Sequence, residues 1–212
     1  MIRHIIWDWN GTLVDDVDLC VEILNQELII RNISEISVRH YKQKFFFPVN
    51  EFYKTLGLPS NGTEYECLNE TYIQQYRTRY KECDLHFGAI ETLKKLNSKG
   101  ISHSILSAGK QTDVESFTNH FGVHSLFLEI DGANNIEAKG KGEIASDHLS
   151  RLGFHQSEVI LVGDSCHDWE VGQLIGCNVI LFEHGHVDGG RLKMLNSCTI
   201  KYLSQVCNWV HD

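Results

Sequence analysis

Short apolar runs alternate along this chain with stretches whose apolar residues recur every three or four positions. Five runs, at residues 4–9, 102–107, 127–131, 159–163 and 178–182, have the length and character of buried strands. Helical patterns intervene at 88–99, 111–121, 142–152 and 168–175. Strands and helices in this alternation predict an α/β fold, a Rossmann-like doubly wound parallel sheet. The rhythm fails between about residues 15 and 84. That segment reads as helices over 17–30, roughly 38–46, 50–56 and 65–82, with turns at Asn32, Pro48 and Pro59-Ser60-Asn61-Gly62. The expected division is an α/β core of residues 1–14 and 85–212 with a small all-helical domain, 15–84, inserted after the first strand.

Composition narrows the setting. A chain of 212 residues can bury a full core, or a core and a small accessory domain. No apolar run approaches the ~20 residues of a membrane span. The chain enters its first strand almost at Met1, so no secretory leader is expected. Its seven cysteines are scattered with no CxxC pair and read as reduced thiols, which predicts a cytoplasmic protein. The net charge of −9 argues against nucleic-acid and anionic-membrane partners. Oligomeric state is not legible.

Chemistry concentrates at the ends of the apolar runs. Ile5-Ile6-Trp7 ends in Asp8, and Asn10-Gly11-Thr12 turns the chain. A carboxylate there faces the crevice where open α/β sheets bind ligands, and it has a desolvation cost that a strand alone does not require. It suits a nucleophile or a metal ligand, although a turn residue would look the same. The second strand ends in Ser107, followed by Ala108-Gly109. Lys139 and Lys141 precede the helix at 142–152. The run 159–163 ends in Asp164-Ser165, with Asp168 four residues after Asp164.

An acid with Gly-Thr, a hydroxyl, a lysine and a paired acid, in this order, resemble the haloacid dehalogenase superfamily, and within it the phosphoglycolate-phosphatase-like branch. The resemblance covers nearly the whole chain, most closely residues 1–16 and 85–185. It implies a phosphatase acting on a small phosphorylated metabolite through an aspartyl-phosphate on Asp8, with Mg2+ as cofactor. Asp8, Asp164, Asp168 and the backbone carbonyl of Asn10 would secure the metal, hard oxygen donors suited to it. Thr12, Ser107, Ala108 and Gly109 would serve phosphate binding. A lysine would contact both phosphate and nucleophile. The commoner family spacing favours Lys139, whereas the lead-in Asn134-Asn135-Ile136-Glu137-Ala138 favours Lys141, which is preferred. Asp168 would hold a metal-bound water or orient that lysine. The helical insertion would be the cap.

Asn10 departs from the family pattern, which usually places an acid–base aspartate there. An amide cannot protonate a leaving oxygen. That leaves three readings: a substrate with a good leaving group, a proton from elsewhere, or a phosphate-binding or regulatory protein with little hydrolysis. A phosphonatase-like relative would need a cap lysine, for which Lys42, Lys44 and Lys54 are available. The aromatic stretch Phe45-Phe46-Phe47 reads mostly as helix packing. His184 and His186 read as loop residues. Cys166, at a helix N-terminus, is expected to have a lowered thiol pKa.

Overall fold

The computed structural model describes residues 1–133, 141–195 and 197–210. Its central strand, β1 (His4–Trp7), is enclosed on both faces: Ile5, Ile6 and Trp7 have no exposed surface. A short ribbon strand, β2 (Val14–Asp15), leads into helices α1 (Val17–Ile30), α2 (Val38–Lys44), α3 (Val49–Thr55) and α4 (Gly62–Arg79). The chain returns through β3 (Asp84–Leu85), which pairs antiparallel with β2. It then alternates: α5 (Ala89–Ser98), β4 (Ser102–Lys110), α6 (Gln111–His120), β5 (Glu129–Ala133), α7 (Gly142–Leu152), β6 (Val159–Gly163), α8 (Cys166–Ile175), β7 (Asn178–Phe182), α9 (Gly189–Lys193) and β8 (Cys198–Ile200).

Among the described residues, six strands form one sheet in the order β5-β4-β1-β6-β7-β8, every pair parallel. Winding proceeds from β1 to β4 and β5, then returns to β6 on the other side of β1. Ligands of open α/β sheets bind at such a reversal, outside the carboxyl ends of the strands. Asp8 and Asp164 follow β1 and β6 at that edge, and Ser107 lies near the end of β4.

Apolar side chains fill both faces. Ile5, Trp7, Leu93, Leu96, Ile105 and Phe117 pack on one, while Ile6, Leu106, Leu161, Ala145 and Val171 pack beneath α7 and α8 on the other. Full burial of each large aliphatic or aromatic side chain contributes about 1.5–3 kcal/mol. A third cluster joins Leu24, Tyr41, Phe45 and Phe52 of the helical segment to Leu181, Val187 and Leu192 at the sheet edge.

Two strands and two helices, β6, β7, α1 and α7, lie where the pattern places them. β1 stops at Trp7, short of the apolar run 4–9, because the chain turns at Trp9, with Leu13 and Val14 donating to Trp9 O at 3.0 and 3.1 Å. α2 stops at Lys44, where Phe45 turns extended (φ −58°, ψ 138°). The ribbon β2/β3 and the three-residue β8 are too short to carry a period.

Candidate active site

The turn after β1 aims its side chains by a few close contacts. Asp8 N–H donates to Val162 O at 2.8 Å, fixing the carboxylate beyond the sheet edge. Gly11 has φ +73°, a left-handed conformation, and a Cβ there would stand 2.7 Å from Asp164 Oδ2; only glycine fits both conditions. The Thr12 hydroxyl lies 3.2 Å from Asp8 Oδ2 and 3.0 Å from Asp164 Oδ1. Thr12 has no exposed surface. Its hydroxyl therefore bridges the two carboxylates from within the turn.

Asp164 is held from the other side by the backbone N–H of His186, at 2.5 Å from Oδ2. Ser165 and Asp168 cap α8 reciprocally: Asp168 N–H donates to Ser165 Oγ, and Ser165 N–H donates to Asp168 Oδ2 at 2.9 Å. The other Asp168 oxygen faces Lys141 Nζ at 2.6 Å, an ion-pair contact without hydrogen-bond alignment.

Lys141 immediately precedes α7 and is 2% exposed. Its ammonium donates to Asp8 Oδ1 at 2.6 Å and to Leu106 O at 2.9 Å. Lys139 and the lead-in 134–138 lie outside the described residues. Ser107, Ala108 and Gly109 line the same cavity as Asp8, Asn10, Lys141, Asp164 and Asp168. They occupy the place where the β4–β5 register shifts, between Leu106 and Lys110. Gly109 N–H donates to Ser107 Oγ at 3.0 Å.

The electrostatics reflect three buried acids around one lysine. Burial raises Asp8 to about 8; Lys141 opposes the rise, and Asp168 and Asp164 add to it. Burial also raises Asp164. Burial would raise Asp168 as well, but Lys141 outweighs it and holds that carboxyl below its usual range. Lys141 is raised despite burial, by Asp168 and Asp8.

Asp16, Tyr41 and Tyr76 escaped the sequence reading, and His186 was assigned no partner. Asp16, with no exposed surface, precedes α1 but does not cap it with its side chain. Its carboxylate instead accepts from Asn10 Nδ2 at 2.6 Å, Gly11 N–H at 2.9 Å and the Tyr76 hydroxyl at 2.7 Å. His186 Nε2 stands 3.3 Å from Asp16 Oδ1, and its Nδ1 meets the Tyr41 hydroxyl at 3.0 Å. Burial opposes protonation of His186, yet Asp16 and then Asp164 raise it to about 9. His186 is a loop residue, as expected, and it also lines the cavity. A histidine just past a strand at the catalytic edge was the available signal; Asp16 looked like an ordinary helix start. The Cys166 thiol departs from expectation too, because burial raises it.

A model of the haloacid dehalogenase-like hydrolases matches residues 5–182. The chain is 25% identical over 201 residues to a phosphoglycolate phosphatase of Synechococcus elongatus, covering 93% of this chain and 90% of that protein. It is 25% identical over 182 residues to a pyrophosphatase of Oceanobacillus iheyensis, covering 81% and 79%. A haloacid dehalogenase-like hydrolase from Streptococcus pneumoniae shares the fold, with a TM-score of 0.79, 18% identity and 98% of each chain covered.

Proposed function

The chain belongs to the haloacid dehalogenase-like hydrolases, and on that premise we propose that it is a cytoplasmic, magnesium-dependent phosphohydrolase of small phosphorylated metabolites, working through an aspartyl-phosphate. The observation that carries this reading is the contact of Lys141 Nζ with Asp8 Oδ1 at 2.6 Å inside a cluster of buried acids.

The donor set fits a divalent ion. Asp8, Asp164 and Asp168 can bring one ligand atom each within 4.8 Å of one another. With all three ionised, three carboxylates against one ammonium leave two negative charges, and a divalent cation would favour that state against the burial that raises Asp8 and Asp164. All-oxygen donors suit magnesium, with Asp8, Asp164 and the Asn10 carbonyl as ligands. Bound there, the ion would neutralise phosphoryl oxygens and favour the ionised form of Asp8.

In this reading an Asp8 oxygen attacks phosphorus in line with the leaving oxygen. Lys141 keeps Asp8 oriented and meets the phosphoryl charge. The Ser107 hydroxyl and the N–H groups of the turn through Gly109 receive the remaining oxygens. Water then hydrolyses the acyl phosphate and regenerates Asp8. Residues 15–84 act as the cap. None of Lys42, Lys44 and Lys54 lines the cavity, which weighs toward the phosphatase reading over the phosphonatase one. Asn10 keeps a second reading open, a phosphate-ligand binding protein, since its amide is bonded to Asp16 and Tyr76 and holds no acidic proton.

The test is phosphate release from a panel of phosphomonoesters and anhydrides, with and without magnesium. Turnover should need the metal and fall more than ~10³-fold in Asp8→Asn. Full activity in that variant rules out the assignment. Metal-assisted binding of a phosphoryl analogue with no turnover on any compound favours the binding protein.

A further inference from the structure

The cavity that opens from Asp8 has a volume of about 200 Å³, and its two ends differ sharply in character. The sheet end carries Asp8, Lys141, Asp164 and Asp168. The opposite wall comes from the helical segment, with Leu24, Phe45, Phe52, Tyr53 and Ile73 among its residues. Among the described residues, segment 15–84 contributes no lysine, arginine, histidine, aspartate or glutamate to this wall. Its nearby cations are turned elsewhere. Lys42 Nζ donates to His184 O at 2.9 Å, Lys54 lies beside Glu51 at 3.8 Å on the surface, and Arg77 grips Asp113 through two hydrogen bonds of 2.9 Å. Lys110 is the further lysine of the lining, and it belongs to the core, directly after the Ser107–Gly109 turn.

The geometry points to phosphate monoesters of phenols, an uncharged aromatic leaving group seated against the helical wall, as the substrate class of this site. The assignment rests on the phosphohydrolase reading above. A carboxylate or second phosphate on the leaving group would find no charged partner on segment 15–84: Lys110, Lys141 and His186 of the lining belong to the core, and His186 is already held by Asp16 at 3.3 Å. Burying an unpaired charge is strongly unfavourable. An aromatic ring fits. A cavity of about 150 Å³ lined by Leu, Ile and Phe side chains is known to admit benzene. The wall is also prepared for ring contacts. Tyr41 stacks on Phe45 at 5.0 Å, and Phe45 meets Phe52 edge-on at 5.3 Å, an aromatic cluster of the kind that favours ring contacts.

Asn10 supplies an independent argument. Its amide donates to Asp16 at 2.6 Å and to Tyr76 at 2.8 Å, so it offers the leaving oxygen no proton. An alkoxide, with a conjugate acid near water's pKa of about 15.7, departs poorly without one. A phenolate, with a conjugate acid near about 10, departs without help. The Asp8 oxygen forms a bond to phosphorus as the phosphorus–oxygen bond to the aryl group breaks. The phenolate leaves with the electron pair and takes its proton from water. A second water attacks the acyl phosphate, so the net change is aryl phosphate and water to phenol and inorganic phosphate.

The experiment measures kcat/KM for phenyl phosphate, phosphoglycolate and pyrophosphate with magnesium. In parallel, binding of two non-hydrolysable analogues, benzylphosphonate and 3-phosphonopropionate, is followed by calorimetry. Phenyl phosphate should exceed both others by at least 100-fold, and benzylphosphonate should bind at least 10-fold tighter. Ile73→Lys should narrow the phenyl phosphate advantage over phosphoglycolate by 10-fold or more. Parity or preference for a charged leaving group, in turnover or in binding, overturns the assignment. Tighter benzylphosphonate binding with no turnover of any phosphate supports the aromatic seat while removing the phosphohydrolase reading.

Discussion

Asn10 donates its side-chain amide to Asp16 across 2.6 Å, so the carboxylate that holds this amide lies six residues later in the chain. Restoring an acid at position 10 is therefore not a neutral addition. Asn10→Asp would set two buried carboxylates against each other, and such pairs keep one proton. The single substitution should lower the thermal midpoint, costing about 1.4 kcal/mol for each unit by which the shared carboxyl is raised. Asn10→Asp combined with Asp16→Asn should recover part of that loss, read by thermal denaturation at pH 7. No loss in the single variant would mean that the amide contact is unimportant.

Lys141 compensates two buried acids at once. Lys141→Met leaves Asp8 and Asp168 facing each other without a cation, and breaking a buried pair costs about 3–5 kcal/mol. Turnover should fall by ~10²–10³-fold or more, the usual effect of removing one donor to a developing oxyanion. Magnesium should restore more stability to this variant than to the parent, because it replaces the missing positive charge. A melting shift on adding magnesium that equals the parent's would contradict the charge count.

Gly185 permits the close approach of Asp164. A Cβ at that position would stand 2.1 Å from Asp164 Oδ2 and 2.3 Å from its Cγ. Gly185→Ala must therefore push away a proposed metal ligand. Disturbing the groups that orient a ligand typically costs 10–100-fold in metal affinity. A magnesium titration of that variant, followed by activity and by melting temperature, should show such a shift. An unchanged midpoint would show that Asp164 is free to move.

The buried histidines far from this edge set the acid limit of stability. Burial holds His4 at about 3 and His103 at about 4, and it lowers His148 as well. His103 is placed as a neutral ring, its Nδ1 accepting from Trp7 Nε1 at 3.2 Å, and His4 lies between Ser102 Oγ and Ser104 Oγ at 2.7 and 2.8 Å. Between pH 6.5 and these native values the unfolded chain binds more protons, so stability rises with pH through that window. It is fully present above about 6.5 and lost as the pH falls toward 3–4, by about 1.4 kcal/mol per unit for each fully titrating ring. Urea melts at pH 7, 5.5 and 4.5 should show a falling midpoint. A flat profile in wild type, or one unchanged in His4→Gln, would remove these rings as the cause.

The sequence was legible where a residue's position depends on its place along one element. Asp8, Ser107 and Asp164 each end or follow an apolar run, so strand polarity alone brings them to one edge. It failed where a role depends on a partner far along the chain. Asp16 sits before a helix, as many caps do, and only the fold shows its carboxylate turned back to Asn10, Gly11 and Tyr76. His186 gains its charge from Asp16, 170 residues away in sequence, a coupling that no local pattern encodes. The aromatic stretch after α2 was read as packing and does pack, on Leu181, Val187 and Leu192. That it also walls a cavity depends on how the helical segment lies over the sheet.

The central position of β1 has a consequence for biosynthesis. Its two hydrogen-bonded neighbours begin at Ser102 and Val159, so the strand that carries Asp8 leaves the ribosome long before either of them exists. Non-local pairing of this kind is slow and leaves apolar edges open in the meantime. Asp8 is made well before either neighbour of its strand, and its surroundings are complete only once β6 has been synthesised. A nascent chain halted before Val159 should hold an apolar strand awaiting partners, a client for chaperones and not a partial catalyst.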